Sequence, residues 1–139
     1  MVPPRVPRDT LPVGRRALRF LSEDSAGNLE AAKAASLAVD GTAPVSSVSA
    51  GEPKLALADG RTLVAARTPI TALAQDPEVA GVAVGVAGLS AALDDAALAA
   101  YTGPLTRAGA DGAHTVRSQA TDRLGNAEAV HERTFFLDT

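Results

Sequence analysis

The sequence repeats itself at an offset of 98 residues, and this repeat limits the architectures open to the chain. Segment 14–40 aligns without gaps on segment 112–138. The identical pairs are Gly14/Gly112, Arg19/Arg117, Asp24/Asp122, Gly27/Gly125, Asn28/Asn126, Glu30/Glu128, Ala31/Ala129 and Asp40/Asp138. Average composition gives roughly two identities by chance over such a length. The pattern therefore predicts a chain built from similar structural units.

The spacing of the repeat predicts the domain organisation. An immunoglobulin-type sandwich has about 100 residues, which matches the offset. The second copy ends with the chain, and the first copy starts close to Met1. We expect residues 1–43 to be the C-terminal hairpin and linker of a partial repeat, and residues 44–139 to be a complete repeat. Pro44 marks the joint, since proline ends a strand and stiffens a linker.

The two aligned segments alternate between apolar and polar residues, which is typical of half-buried strands. In segment 114–122 the residues predicted to face inward are Val116, Ser118 and Ala120. In the first copy they are Leu18, Phe20 and Ser22. Each strand is followed by Asp-x-x-Gly-Asn, which predicts a hairpin turn because glycine accepts positive φ and aspartate bonds nearby backbone amides.

The return strands complete these hairpins. Leu37 and Val39 should face inward in the first copy. Phe135 and Leu137 should do so in the second copy, and Phe136 should face the other way. These assignments make each aligned segment one antiparallel hairpin with a single apolar face.

The rest of segment 44–139 also favours strands. Residues 54–57 and 61–65 flank Asp59-Gly60, which is a hairpin signal. Residues 68–75 and 82–86 are further strand candidates. The Ala- and Leu-rich stretch 87–101 suits a helix by propensity, or two strands that turn at Asp94-Asp95, and the surrounding pattern favours the strands. The fold class expected is all-β, an antiparallel immunoglobulin-like sandwich preceded by a hairpin of a second copy.

Composition narrows the possible partners. The chain has no cysteine, a net charge of −3 and 46% hydrophobic residues. Disulfides and thiolate chemistry are therefore excluded. The lack of a basic stripe argues against nucleic acid as a partner, and no stretch is apolar enough to span a membrane. The N-terminal residues contain no apolar segment of signal-peptide length, so a secretion signal would lie outside this chain.

Several segments together resemble a known family. The segments are Asp40-Gly41-Thr42-Ala43-Pro44, then Tyr101 to Leu105 followed by 111–116, and 120–128 followed by Phe135 to Thr139. Their order and spacing are similar to those of the bacterial immunoglobulin-like surface repeats. Stretch 87–101 departs from the family pattern, because it is Ala-rich where aromatic residues and an Asp-Gly turn are common. The resemblance implies a spacer or adhesion module of an extracellular multidomain protein without enzyme activity.

The sequence offers few residues for catalysis. His114 opens a strand and His131 lies on a return strand. A catalytic histidine requires a nucleophile and an orienting carboxylate, and neither position shows this combination. Both histidines are therefore interpreted as ordinary strand residues, and no catalytic residue is expected.

Calcium is the one cofactor that the sequence leaves open. Oxygen ligands cluster in the two turns at Asp24, Asn28 and Glu30 and at Asp122, Asn126 and Glu128. Asp40, Asp76 and Glu78 could add to such a set. Calcium needs six to eight oxygens, and each turn supplies about half of them. The Gly-Asn step explains each turn without a metal, so the expectation is a chain without a cofactor, with calcium as the alternative.

These observations lead to three functional hypotheses. The first is a structural spacer of a secreted or cell-surface bacterial protein, in contact with neighbouring repeats or with copies of itself, that could assemble into a filament through strand addition. The second is an adhesion module that binds a host or matrix protein. The third is a small enzyme, which lacks support in the sequence.

Overall fold

The computed structural model describes residues 11–106 and 109–139, and it places them in ten strands without a helix. The strands are β1 (Gly14–Phe20), β2 (Lys33–Val39), β3 (Val45–Ala50), β4 (Lys54–Ala56), β5 (Thr62–Val64), β6 (Ile70–Gln75), β7 (Val86–Leu93), β8 (Ala99–Ala100), β9 (Gly112–Asp122) and β10 (His131–Leu137). The all-β prediction is thus confirmed for the described residues. These residues contain no helix long and apolar enough to cross a membrane.

The described residues form two compact units. The first unit contains residues 11–42 together with Glu78–Ala83. Its sheet is the antiparallel hairpin of β1 and β2. The second unit contains Ala43–Pro77 and Val84–Thr139, and it holds strands β3 to β10.

The second unit consists of two sheets that share one apolar core. The larger sheet has the strand order β4-β5-β10-β9-β7-β8, and the smaller sheet pairs β3 with β6. All of these pairs are antiparallel except β5 with β10. The buried core residues come from both sheets and are Val48, Ala50, Val64, Ile70, Ala72, Val116, Phe135 and Leu137. This arrangement fits an all-β sandwich.

The hairpin of β9 and β10 supplies the centre of the core. The inward residues Val116, Ser118 and Ala120 alternate with half-buried residues along β9. On β10, Phe135 and Leu137 are buried. The neighbouring residue Phe136 faces the other way, and the guanidinium carbon of Arg61 lies 5.4 Å from its ring centroid. The predicted register of both strands is therefore confirmed.

Two further predicted strand segments are present. The hairpin around Asp59-Gly60 is formed by β4 and β5. Gly60 has a φ of +87°, and the Asp59 carboxylate accepts the Arg61 N–H at 3.0 Å. The strand predicted at 68–75 begins at Ile70, and its residues Ile70 and Ala72 are buried.

The prediction of a strand at 82–86 is wrong. Val82 forms only an isolated bridge with Val79, and β7 begins at Val86. Gly81 and Gly85 both have positive φ, at +76° and +85°, and these conformations interrupt an extended chain. The apolar character of this segment predicts a strand, but Gly81 lies in a turn and Gly85 takes a positive φ just before β7.

The Ala-rich stretch 87–101 forms two antiparallel strands rather than a helix. Strand β7 ends at Leu93, the chain turns at Asp94-Asp95, and β8 follows. Pairing of β7 with β9 buries Ala91 and Ala92. Tertiary pairing thus overrides the helix propensity of alanine, and the strand alternative is confirmed.

The core assignment of Leu137 predicts a large loss of stability when this side chain is shortened. Leu137 is 3% exposed, and Leu→Ala at a buried site costs about 2–5 kcal/mol. The matched control is Leu73→Ala on β6, because Leu73 is 67% exposed. Urea denaturation should show a clear loss for Leu137→Ala and a small change for Leu73→Ala, and equal losses would contradict the assignment.

Candidate functional site

Asp122 caps the turn between β9 and β10 with both carboxylate oxygens. Oδ1 accepts the N–H groups of Leu124 and Asn126, each at 2.8 Å. Oδ2 accepts the Asn126 side-chain amide at 2.6 Å. Gly125 has a φ of +87°, and its N–H donates to the Asp122 carbonyl at 3.2 Å. The predicted capping role of Asp122 and the positive φ of Gly125 are confirmed.

The environment of Asp122 favours its charged form. Burial raises the pKa of Asp122. The hydrogen bonds from the side chain and backbone of Asn126 and from the amides of Leu124 and Gly125 lower the pKa by a larger amount. The net pKa lies below the ordinary aspartate value. A carboxylate that accepts several N–H bonds is stabilised as an anion, which is the form that the turn requires.

Glu128 joins three strands through one buried carboxylate. The Ser46 N–H on β3 donates to both of its oxygens, at 3.1 and 2.9 Å. The Ala120 N–H on β9 donates to Oε1 at 2.7 Å. His131 Nε2, at the start of β10, lies 3.1 Å from Oε2. We call Glu128 with Ser46, Ala120 and His131 the Glu128 clasp.

The Glu128 clasp holds its carboxylate in the ionised state. Burial raises the pKa of Glu128, but the hydrogen bonds from Ser46 and Ala120 and the charge of His131 lower it by more. The net pKa is below the ordinary glutamate value. The sequence pattern offers Glu128 as a calcium candidate and does not reveal this role. The identity with Glu30 at the offset of 98 was the signal that a role in the fold existed.

The first hairpin repeats the same turn. Asp24 Oδ1 accepts the N–H of Asn28 at 2.9 Å, and Oδ2 accepts the Asn28 side-chain amide at 2.8 Å. Gly27 has a φ of +84°. Lys33 Nζ lies 2.7 Å from Glu30 Oε2, where the second turn has His131 beside Glu128. The pKa of Asp24 is lowered mainly by Asn28, and that of Glu30 mainly by Lys33.

These hydrogen bonds bear on the calcium candidates. The carboxylates of Asp24 and Asp122 each use both oxygens as acceptors within their own turns. An oxygen of Asp76 and an oxygen of Asp122 lie within 4.8 Å of each other. Asp76 Oδ2 accepts the Gly85 N–H at 2.6 Å, and its buried Oδ1 has no hydrogen-bond partner among the described residues. Calcium requires six to eight oxygens, and calcium binding by these residues stays a prediction.

Both histidines contact carboxylates that belong to the fold. His131 lies beside Glu128. His114 Nδ1 lies 3.0 Å from Asp94 Oδ2, and His114 Nε2 lies 3.0 Å from the carbonyl oxygen of Ala110. Asp94 Oδ1 in turn accepts the Thr115 N–H at 3.0 Å. Each histidine therefore fastens strands and turns, a role that the sequence analysis did not predict.

Comparison with known proteins identifies no family model, no curated protein and no solved structure that matches the chain. The second unit is an all-β, two-sheet domain. Its last hairpin, β9–β10, is called the closing hairpin, and the buried carboxylate of Glu128 fastens it.

The Glu128 clasp predicts a stability loss that depends on pH. At pH 7, Glu128→Gln should lower the free energy of unfolding by about 1.5–3 kcal/mol, the usual contribution of hydrogen bonds to a charged group. The matched control is Glu30→Gln, because the Glu30 side chain is 31% exposed and should contribute less. Chemical denaturation of the three proteins measures the difference.

The pH dependence gives a second readout of the same variant. Since the folded-state pKa of Glu128 is depressed, its stabilisation is fully present above the unfolded value of 4.5 and is lost as the pH falls through the lower folded value. The difference between the parent protein and Glu128→Gln should therefore shrink as the pH falls below 4.5. An equal difference at pH 7 and at low pH would rule out a role for the charge.

Proposed function

We propose that the chain is a non-catalytic structural module, a spacer of the bacterial immunoglobulin-like repeat kind in a secreted or cell-surface protein. The observation that carries this proposal is the equivalence of the hairpins β1–β2 and β9–β10 in register and in turn geometry. Two copies of one supersecondary unit along a chain are typical of repeat architectures, in which neighbouring copies form an extended array.

The register of the two hairpins supports the proposal directly. The end pairs are Gly14↔Val39 and Phe20↔Lys33 in the first hairpin and Gly112↔Leu137 and Ser118↔His131 in the second. Each residue of the first set corresponds to a residue of the second at the offset of 98. The turns agree as well, since Asp24 N donates to Asn28 O at 3.0 Å and Asp122 N donates to Asn126 O at 3.0 Å.

The topology of the second unit supports the immunoglobulin-like part of the proposal. Its two sheets face each other across a core formed by alternating inward residues. Its consecutive strands β6 and β7 belong to different sheets. Immunoglobulin-type sandwiches share these features.

The exposure of the first hairpin supports its assignment as the closing hairpin of a further repeat. Three inward positions of β9–β10 are at most 2% exposed, namely Val116, Ser118 and Phe135. The equivalent residues of β1–β2 are 52%, 46% and 43% exposed, namely Leu18, Phe20 and Leu37. The first hairpin thus has the apolar face of a closing hairpin, and the described residues do not bury it.

Assembly of copies into a filament is a second form of the same proposal. Ser46 Oγ and Ser118 Oγ lie 2.8 Å apart in the buried interior. Phe20 is the counterpart of Ser118. If β1–β2 of another copy replaced β9–β10, the larger Phe20 side chain would therefore stand where Ser118 meets Ser46. Pairing at exposed strand edges is therefore the route that would build a filament. A molar mass from light scattering that rises with concentration would support it, and a chain that stays monomeric at high concentration would rule it out.

One observation favours adhesion as a second candidate function. Val45 on β3 and Leu73 on β6 are 54% and 67% exposed, and both line one surface groove. Ser47, Gln75 and Val86 contribute to the same groove. Exposed apolar side chains that lie together with polar neighbours are a common feature of protein-binding surfaces.

A chain with one added segment tests the proposal. The added segment is a second copy of residues 44–111, inserted directly before Gly14. Because Gly14 is the counterpart of Gly112, the first hairpin then follows the strands that normally precede β9. The proposal predicts that the amides of β1 and β2 become more protected from hydrogen exchange than they are in the chain without the added segment. The chain without the added segment is the control.

Phe20→Ser sharpens this test because it restores the residue that meets Ser46 in the second unit. In the extended chain this variant should increase the protection of the first hairpin. In the chain without the added segment it should have little effect, since Phe20 is exposed there. A first hairpin that stays unprotected in both extended chains would show that it is not the closing hairpin of a repeat.

A further inference from the structure

His114 lies between two groups that each require a proton from its ring. Nδ1 is 3.0 Å from Asp94 Oδ2, and Nε2 is 3.0 Å from the backbone oxygen of Ala110. An ionised carboxylate and a carbonyl oxygen can only accept hydrogen bonds, and a neutral imidazole has only one N–H. Both contacts are hydrogen bonds at the same time only if the ring has both protons.

We propose that His114 is held as an imidazolium and forms a proton-dependent fastening between the turn at Asp94 and the segment just before β9. With both protons in place, the ring donates to Asp94 and to Ala110. When the ring loses one proton to solvent, one ring nitrogen becomes an acceptor that faces another acceptor. The hydrogen bond at that nitrogen is lost, and the segment that it held is released. The inference is independent of the proposed function, because it concerns contacts within the second unit alone.

The charged groups around the ring favour the imidazolium. The turn after β7 contributes Asp94 and Asp95 to the hollow beside His114, β9 contributes Arg117, and β10 contributes Glu132. Among the described residues that line this hollow, three are carboxylates and one is a guanidinium besides the imidazole itself. Arg117 directs its side chain to the carbonyl oxygens of Asp94 and Ala96. The His114 side chain is only 14% exposed, so solvent screens its contact with Asp94 only in part.

The turn at Asp94 depends on contacts with β9. Asp94 has a φ of +54°, a conformation that is unfavourable for a residue with a Cβ. Its N–H donates to the Thr115 carbonyl at 2.7 Å, and its Oδ1 accepts the Thr115 N–H at 3.0 Å. His114 contacts the other carboxylate oxygen, Oδ2. A loss of the His114 contact therefore weakens the support of a strained turn.

The sign of the pH dependence follows from linkage. A histidine that gains partners in the folded state binds its second proton more tightly than it does in the unfolded chain, where the ordinary value is about 6.5. The stabilisation by His114 is then fully present below that value. It is lost as the pH rises through the higher titration midpoint of the folded protein.

The first test is a proton NMR titration of the folded protein. The chain has two histidines, so the background variant His131→Gln leaves the signal of His114 alone. Its titration midpoint should lie above about 6.5, and Asp94→Asn should move the midpoint down. A midpoint at or below the ordinary value would overturn the proposal.

The second test compares melting temperatures in the same background. His114→Gln should lower the melting temperature by about 4 °C at pH 5.5, a shift typical of one lost hydrogen bond in a domain of this size. The difference should nearly vanish at about pH 9, beyond the histidine titration. An equal difference at both values would overturn the proposal. If His114→Gln does not fold, the NMR titration of the protein that keeps His114 still decides.

Discussion

The second unit depends on one buried carboxylate that binds both of its sheets. Ser46 belongs to the sheet of β3 and β6, and Ala120 belongs to the larger sheet, yet their amides donate to the same side chain, Glu128. Removal of a charge from water is costly unless its partners are in place. Here two amides and His131 provide those partners, so the charge and the packing of the two sheets stabilise each other.

The same turn occurs twice in the chain, but its surroundings differ. The hydrogen bonds of Asp24 and Asn28 match those of Asp122 and Asn126, because they form within five residues and need no distant partner. The apolar faces of the two hairpins do need such a partner. That of β9–β10 is buried, and that of β1–β2 is exposed. Local sequence thus specifies the hairpin, and burial depends on the strands that precede it, which is why a repeat is the functional unit proposed.

Features that depend on short-range interactions are predictable from this sequence, and features that depend on long-range contacts are not. Alternation and turn residues predicted β9, β10 and the Asp122 turn, since these patterns act over a few residues. The error at 82–86 arose because positive φ at Gly81 and Gly85 outweighed the apolar character of their neighbours. The Glu128 clasp was not predictable, because 82 residues separate Glu128 from Ser46. No local pattern shows which amide a distant carboxylate will meet.

The exchange rate of the Ser46 amide hydrogen tests the role of the Glu128 clasp most directly. The Ser46 N–H donates to Glu128, so the clasp itself protects this hydrogen. The account predicts that it exchanges as slowly as the amide of Ala120, which means only when the whole unit opens. Exchange of Ser46 at the rate of an exposed amide, while Ala120 stays protected, would show that Glu128 does not hold the two sheets together.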